Sequence, residues 1–228
     1  LGRGSLFLRT YEGFGHDVAT ARERYDENVP LLVKLLSEEN VHWAGDFRAP
    51  LTGHTTRPRP VADMPIWIGA GSKGSAELAA DLGCWLMLPS VFGKPEMFVP
   101  IVDIYRARWE SIGRDWADAR VGACSHCFVG ETTQQARARW EPYYRNYWEF
   151  VGDLLGGEGT WPSFDLEELL AGPGICGSPA EVVDKVESWR EIFGLDRHLF
   201  MFDLGGIDEA SLMGSLELFG SEVIPAVK

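Results

Sequence analysis

The sequence lacks the marks of several protein classes. Its 228 residues contain only four cysteines, too few and too scattered for a disulfide framework: Cys84, Cys124, Cys127 and Cys176. No apolar run approaches the roughly 18–20 residues that a membrane-spanning helix needs, and no signal-peptide pattern opens the chain. These absences predict a cytoplasmic protein without disulfide bonds.

Excess positive charge is also missing. The chain has 34 acidic against 21 basic residues, a net charge of −13, and no basic cluster that would suit a nucleic-acid backbone. Its five histidines fall in no metal-binding spacing such as HExxH. The pair in CSHC lies within RVGACSHCFVG, which is typical of a strand, so Cys124 and Cys127 point to opposite faces and are expected to pack rather than bind metal.

Apolar strands that alternate with amphipathic helices are abundant. Four segments are continuously apolar, and each is followed by a helical pattern: PIWIG, CWLMLPS, ARVGACSHCFVG and RHLFMFDLGG. Such strands are typical of a parallel sheet covered on both faces, so the fold class is α/β. An open doubly wound sheet and a barrel both agree with this pattern.

Several local features add detail to this interpretation. The helix that follows His16 contains Pro30, which is expected to kink or split it. The Gly-, Pro- and Thr-rich segment 43–63 is expected to be a long surface excursion. Residues 152–177 lose their period and predict an insertion or irregular region, with a loop or short helix. A helix beginning at Pro179 has Ser178 as its cap and Glu181 as the partner in a capping box.

Ligands of parallel α/β folds bind at the carboxyl ends of strands, and three such ends are rich in small residues. They are 2–5 (GRGS), 69–75 (GAGSKGS) and 204–206 (LGG). The second begins a helix, where unpaired N–H groups and partial positive charge suit a phosphate. It is not a Walker sequence. Although Gly69, Gly71 and Gly74 match G-x-G-x-x-G, no acidic residue ends a following strand, which disfavours a dinucleotide site. Tight packing is the alternative explanation for the small residues.

The order of several motifs resembles the bacterial luciferase-like flavin monooxygenases, a TIM-barrel family. The motifs are LGRG with YEGFG and RERYDENVPLL, then PIWIGAGS with AELAADLG, GSPAEVVDKV, and LELFGSEVIPAVK near the end. The resemblance implies a (β/α)8 barrel from which about the first three βα units are absent. Residues 1–228 would then form the C-terminal part of a single barrel domain.

The resemblance also implies cofactor-binding residues. The flavin phosphate would contact Arg3 and the hydroxyl groups of Ser72 and Ser75, while Pro89 and Ser90 would lie near the flavin ring. Luciferase alpha chains have a glutamate where this chain has Gly71, so the backbone would replace that side chain. Their reactive cysteine corresponds to Gly2, which argues for the broader monooxygenase class rather than for luciferase chemistry. The family's catalytic histidine lies in an earlier segment, so the catalytic residues are unknown.

The function implied is a flavin-dependent monooxygenase that uses reduced FMN and O2 on a small organic substrate such as an aldehyde, alkane, ketone or terpene. A deazaflavin-dependent dehydrogenase is the alternative within the superfamily, and a shortened flavin-binding homologue without turnover is another. The expected partners are the substrate, O2 and a flavin reductase, with no nucleic acid, membrane or metal. An edge left by missing strands would favour pairing, so a homo-oligomer is expected.

Overall fold

A computed structural model describes residues 1–2, 8–155 and 161–227. The chain divides into two compact units. The first comprises Leu1–Leu86 with Ile104–Ala119, and the second comprises Met87–Asp103 with Arg120–Lys228. The assignment of the whole chain to one barrel domain stays a prediction.

The first half of the chain contains four helices and four short strands among its described residues. In chain order they are α1 (Leu8–Gly13), α2 (Ala21–Ser37), β1 (Val41–Trp43), β2 (Leu51–His54), β3 (Trp67–Gly69), α3 (Lys73–Asp81), β4 (Trp85–Met87) and α4 (Val99–Ser111).

Two segments of this half show more order than their composition suggests. Helix α2 continues through Pro30 without being split, and its neighbours Val29 and Leu31 are both buried. Burial of this apolar face outweighs the one hydrogen bond that proline removes. The segment after α2 lies largely at the surface, as expected, but it also contains β1 and β2, which form an antiparallel pair in which Val41 is opposite His54. Turn-forming residues around these short strands conceal them in the sequence.

The first residue of the chain is hydrogen-bonded to the backbone of β3. The Leu1 amino group donates to the Trp67 carbonyl. The Gly69 amide donates in turn to the Leu1 carbonyl oxygen at 2.6 Å. A Cβ atom on Gly69 would lie 3.4 Å from that oxygen, in van der Waals contact with it. Residues 1–2 therefore lie directly beside the second predicted strand end, whereas 3–5 of the first lie outside the described residues.

The second half contains three strands and four helices among its described residues. They are β5 (Val121–Val129), α5 (Thr133–Leu155), α6 (Leu166–Ala171), β6 (Gly174–Gly177), α7 (Pro179–Phe193), β7 (Arg197–Met201) and α8 (Glu209–Leu218).

Strand β5 is the centre of the second unit. It pairs in parallel with β6, with Cys127 opposite Ile175, and in parallel with β7, with Cys124 opposite Leu199. Eight of its nine residues are buried, as expected of a strand covered on both faces. The predicted α/β class with a parallel sheet is confirmed.

The aromatic stripe of α5 packs in the core of the second unit. Trp140 and Tyr144 are fully buried, and their rings stack with centroids 4.1 Å apart. Tyr147 is half-buried and packs against the same cluster. All four cysteines are free. No group of residues that could hold a metal ion occurs in the described part of the chain.

The irregular region predicted over 152–177 contains more order than its composition indicates. Helix α5 extends to Leu155, α6 occupies Leu166–Ala171, and β6 occupies Gly174–Gly177. Residues 156–160 lie outside the described part. Strand β6 was not predicted, because four residues reading GICG show neither alternation nor a β-branched run. It is nevertheless completely buried beside β5.

The cap of α7 is confirmed in part. Ser178 caps the helix by accepting from the Glu181 amide at 3.5 Å. The reciprocal bond of a capping box does not form, because the Glu181 carboxylate accepts from Thr133 Oγ1 and from Arg137 Nη2 instead. The Ser178 amide donates to Thr133 Oγ1 at 3.3 Å. Glu181 therefore ties α7 to α5, an arrangement that local sequence cannot reveal.

No helix in the described ranges is long and apolar enough to cross a membrane. The cytoplasmic location remains a prediction.

The third strand end, 204–206, is explained by close packing. Gly205 has φ +61° and lies against the backbone of Tyr143, so that a Cβ atom would overlap the Tyr143 carbonyl oxygen. The Asn146 amide group donates to the Gly205 carbonyl oxygen at 3.4 Å. Gly206 has φ +76° but open space around it.

This pair of glycines gives a test of the packing at the end of β7. We expect Gly205→Ala to lower the free energy of unfolding by about 3 kcal/mol or more, because steric overlap adds to backbone strain. Gly206→Ala, with a similar φ and no overlap, is the matched control and should cost only about 1–2 kcal/mol. Urea unfolding of both variants provides the measurement. Equal losses would show that backbone conformation alone requires glycine at position 205.

Candidate functional site

The predicted phosphate-binding residues of the first unit lie at the start of α3. Ser72 is the residue that precedes the helix, and its side chain makes no capping bond to the backbone. Ser75 lies one turn on, and the two hydroxyl oxygens are 3.1 Å apart. Gly71 is exposed beside them, whereas Ala70 is fully buried. Two hydroxyl groups therefore converge at the first turn of a helix.

The backbone of this turn supplies further donors. The first intrahelical bond runs from the Ala76 amide to the Ser72 carbonyl at 3.0 Å. The amide groups of Lys73, Gly74 and Ser75 thus belong to the first turn, where helical geometry offers them no carbonyl partner. Together with the helix dipole, such groups suit an anion.

A cationic side chain that the sequence did not single out reaches the same place. Arg22, from the first turn of α2, donates through Nη1 to Ser75 Oγ at 3.4 Å. Its Nη2 lies 3.0 Å from where a Cβ atom on Gly74 would be. Gly74 therefore leaves the space that the guanidinium occupies. Because 53 residues separate Arg22 from Ser75, only the tertiary structure brings them together.

The charge of Arg22 is partly compensated. Its Nε donates to Asp26 Oδ2 at 2.7 Å, one helical turn away. Both side chains are about two-fifths exposed, so the pair is a solvated one that contributes little to stability. Its geometric effect is larger, because holding Nε toward Asp26 directs the Nη atoms toward α3. The start of α3 thus presents a guanidinium, two hydroxyl groups and backbone N–H groups.

Arg3 lies outside the described residues, so its predicted contact with phosphate stays a prediction. Gly2, which precedes it, is described, and its Cα lies 3.9 Å from a Cβ atom built on Gly69.

The two residues predicted to lie near the flavin ring belong to the second unit and differ in their exposure to solvent. Pro89 is exposed, whereas Ser90 is fully buried. Ser90 Oγ donates to the Cys124 carbonyl at 2.9 Å and accepts from the Cys124 amide at 2.9 Å. The Leu88 amide also donates to the Gly122 carbonyl at 2.8 Å. The Ser90 hydroxyl therefore bridges to β5, and its contact with a flavin rests on the resemblance alone.

Cys124 is the half-exposed cysteine of β5. Burial raises the pKa of its thiol above the usual value, so the thiol stays protonated at neutral pH. This disfavours the reactive thiolate form.

Comparison with known proteins shows the family. Residues 1–196 match the family described as luciferase-like monooxygenase, which confirms the resemblance inferred from the motifs. The chain is 24% identical over 226 residues to the oxygenase component of a flavin-dependent trigonelline monooxygenase from Acinetobacter baylyi. That alignment covers 93% of this chain and 62% of the relative.

Solved structures show the fold. The monooxygenase RslO1 from Streptomyces bottropensis superposes with a TM-score of 0.83 at 23% identity, covering 98% of this chain and 67% of RslO1. An F420-dependent secondary alcohol dehydrogenase in complex with an F420–acetone adduct superposes with a TM-score of 0.74 at 15% identity. That superposition covers 100% of this chain and 68% of the dehydrogenase. A third structure is the oxygenating constituent of 3,6-diketocamphane monooxygenase from Pseudomonas putida in complex with FMN. It superposes with a TM-score of 0.69 at 18% identity, covering 100% of this chain and 71% of that protein. The fold is that of the luciferase-like TIM-barrel monooxygenases, and the chain spans about two thirds of their length.

Because Ser90 is buried and Ser72 is exposed, removing each hydroxyl is expected to change stability by different amounts. We expect Ser90→Ala to lower the free energy of unfolding by about 1–3 kcal/mol, because the buried Cys124 amide loses its acceptor. Ser72→Ala, at an exposed site, should change stability by less than about 0.5 kcal/mol. Chemical denaturation of the two variants measures the free energy of unfolding. A Ser90→Ala variant as stable as the wild type would show that the Ser90 bridge contributes nothing to stability.

Proposed function

Because the chain belongs to the luciferase-like monooxygenase family, we propose that it acts in a flavin-dependent monooxygenase that uses reduced flavin and O2 on a small organic substrate. The observation that carries this proposal is the convergence of Arg22, Ser72 and Ser75 at the start of α3. The activity is proposed for the whole protein, since the chain spans 62% of the curated trigonelline relative.

The residues at α3 fit the phosphate of FMN in both charge and chemistry. A phosphate monoester accepts several hydrogen bonds, and this turn offers Ser72 Oγ, Ser75 Oγ and the amide groups of the first turn. The Arg22 guanidinium supplies charged donors beside them. We propose Arg3 as a second cation and Gly71 as a backbone contact. Pro89 and Ser90 remain proposed neighbours of the flavin ring, with Ser90 limited to its backbone atoms by the bridge to Cys124.

Once bound, the reduced flavin supplies the two electrons with which O2 is activated and one oxygen atom is transferred to substrate. The residues at α3 take no part in that chemistry. They bind the phosphate end and so fix the position of the cofactor, which converts an encounter into an oriented complex.

A deazaflavin-dependent dehydrogenase is the second candidate. The similarity of the chain to the F420-dependent alcohol dehydrogenase, whose TM-score of 0.74 exceeds that of the FMN complex, favours it. Phosphate groups of either cofactor would suit the same helix start, so titration with each cofactor decides between them. A shortened homologue without turnover would bind flavin but consume no O2.

The proposed partners follow from the oxygenase reading. The trigonelline relative is an oxygenase component, so we propose that a separate flavin reductase supplies reduced flavin to this protein. We also propose a cytoplasmic location and a homo-oligomeric assembly.

The phosphate assignment predicts a selective loss of affinity. Arg22→Ala should weaken FMN binding by about 1–3 kcal/mol, because a charged donor to the phosphate is removed. It should leave riboflavin, which has no phosphate, unaffected. Arg3→Ala and Ser72→Ala should act in the same direction. Flavin fluorescence titration of the purified protein gives both dissociation constants.

Arg24→Ala is the matched control, since it removes the same charge from the same helix. Arg24 lies over the Phe47 ring at 5.1 Å and donates to Thr20 Oγ1 at 3.0 Å, away from α3. It should leave FMN affinity within about twofold of the wild type, because surface charges at a distance are screened. Equal losses of FMN and riboflavin in Arg22→Ala would contradict the assignment.

A further inference from the structure

The guanidinium group of Arg22 is restrained on two sides by protein atoms. On one side, its Nε donates to Asp26 Oδ2 at 2.7 Å, one turn further along α2. On the other side, Gly74 in the first turn of α3 lies close to its Nη2. An unrestrained arginine side chain has several rotatable bonds, and fixing them on binding weakens affinity. Neighbours that already fix Arg22 therefore bear on how well the start of α3 binds an anion.

The carboxylate of Asp26 has Arg22 as its hydrogen-bond partner. Its second oxygen, Oδ1, is buried and has no hydrogen-bond partner among the described residues. The ion pair adds little to stability, because both side chains are about two-fifths exposed. Its effect is on direction, because a planar guanidinium held at Nε has its Nη atoms turned away from Asp26 and toward Ser75.

Gly74 occupies a position where its own backbone does not require a glycine. It is the second residue of α3, and its φ lies outside the left-handed region. The three atoms nearest to a Cβ atom built on it all belong to the guanidinium of Arg22, namely Nη2 at 3.0 Å, Cζ at 3.8 Å and Nη1 at 4.0 Å. Glycine in a helix is less stable than alanine. The steric reason for a glycine at this position is therefore the space that Arg22 occupies.

The charge of Asp26 and its geometry have opposite effects on the binding of an anion. A carboxylate close to the site repels a phosphate, so its charge alone would weaken binding. Because the side chain is partly exposed, solvent and salt screen this repulsion. Without the restraint, in contrast, the ligand itself would have to immobilise Arg22. The geometric effect is therefore the larger one, and its opposite sign allows the two effects to be separated.

We propose that Asp26 and Gly74 are positioning residues, which hold Arg22 in the orientation that binds the cofactor's phosphate. This inference deepens the proposed function and rests on it. Neither residue contacts the phosphate, and both act through the Nη atoms of Arg22. Their effect is specific to ligands that carry a phosphate at this place, whether FMN or a deazaflavin cofactor, and is absent for riboflavin.

Gly74→Ala separates a positioning role from a structural one. The added methyl group displaces the guanidinium of Arg22, so we expect FMN to bind about threefold to tenfold more weakly. Riboflavin should bind as it does to the wild type. The midpoint of urea unfolding should stay the same or rise, because alanine is the better helix former. A merely structural role of Gly74 would instead lower affinity and stability together.

Two substitutions of Asp26 separate geometry from charge. Asp26→Ala removes the acceptor for Arg22 Nε, and we expect FMN affinity to fall about threefold to tenfold. Asp26→Asn removes the charge but keeps an acceptor oxygen, so it should bind FMN within about twofold of the wild type or more tightly. Glu23→Gln is the matched control, since it removes an exposed acidic charge from the first turn of the same helix. It should change FMN affinity by less than about twofold.

The same substitutions in the Arg22→Ala background show whether the two residues act through Arg22. Neither Gly74→Ala nor Asp26→Ala should weaken FMN binding further in that background, because the group that they position is gone. Flavin fluorescence titration measures each dissociation constant for FMN and for riboflavin.

Three outcomes would overturn the proposal. Tighter FMN binding by Asp26→Ala would make the carboxylate an opposing charge only. A further loss in the Arg22→Ala background would place Gly74 or Asp26 in contact with the ligand. Equal losses for FMN and riboflavin would show that the two residues do not act on the phosphate.

The single Arg22→Ala variant tests the proposed function separately. If it loses FMN affinity selectively while Asp26→Ala and Gly74→Ala bind FMN like the wild type, the inference alone is wrong. If Arg22→Ala itself binds FMN like the wild type, the phosphate assignment and the inference are both wrong.

Discussion

The close approach of two backbones at the end of β3 is the constraint on which the candidate phosphate site depends. Gly69 donates to the Leu1 carbonyl at 2.6 Å, which holds the first residue of the chain against the strand that leads into α3. The chain then turns through small residues into α3, so that the amide groups of the first helical turn face outward instead of being capped. Because Ser72 makes no side-chain cap, its hydroxyl is free to join Ser75. Arg22 completes the site from α2, in the space left by Gly74.

The sequence predicted the α/β class, the strand–helix alternation and the turn at 69–75, because each depends on residues that are close together in the chain. Apolar runs, small residues before a helix and a serine–proline start need no knowledge of the rest of the chain. The same local reasoning failed where tertiary contacts decide. Pro30 does not split α2, the hairpin β1–β2 is hidden among turn-forming residues, and GICG becomes a strand only because β5 lies beside it.

Candidate functional residues divide in the same way. Ser72 and Ser75 were proposed from the resemblance and from their place at a helix start, whereas Arg22 carries no local signal. Arg22 resembles any surface arginine until the fold brings it to Ser75. The fold also adds a structural role for Ser90, whose hydroxyl bonds to the Cys124 carbonyl, while its place beside the flavin stays a prediction.

The central claim is that the start of α3 binds the cofactor's phosphate. Backbone amide resonances of Lys73, Gly74 and Ser75, followed by NMR while FMN is added, test it most directly. The account predicts saturable shifts of these three amides with FMN and much smaller shifts with riboflavin, because only FMN carries the phosphate. Shifts of equal size with both ligands would contradict it. So would FMN-induced shifts of other resonances that leave these three amide resonances unchanged.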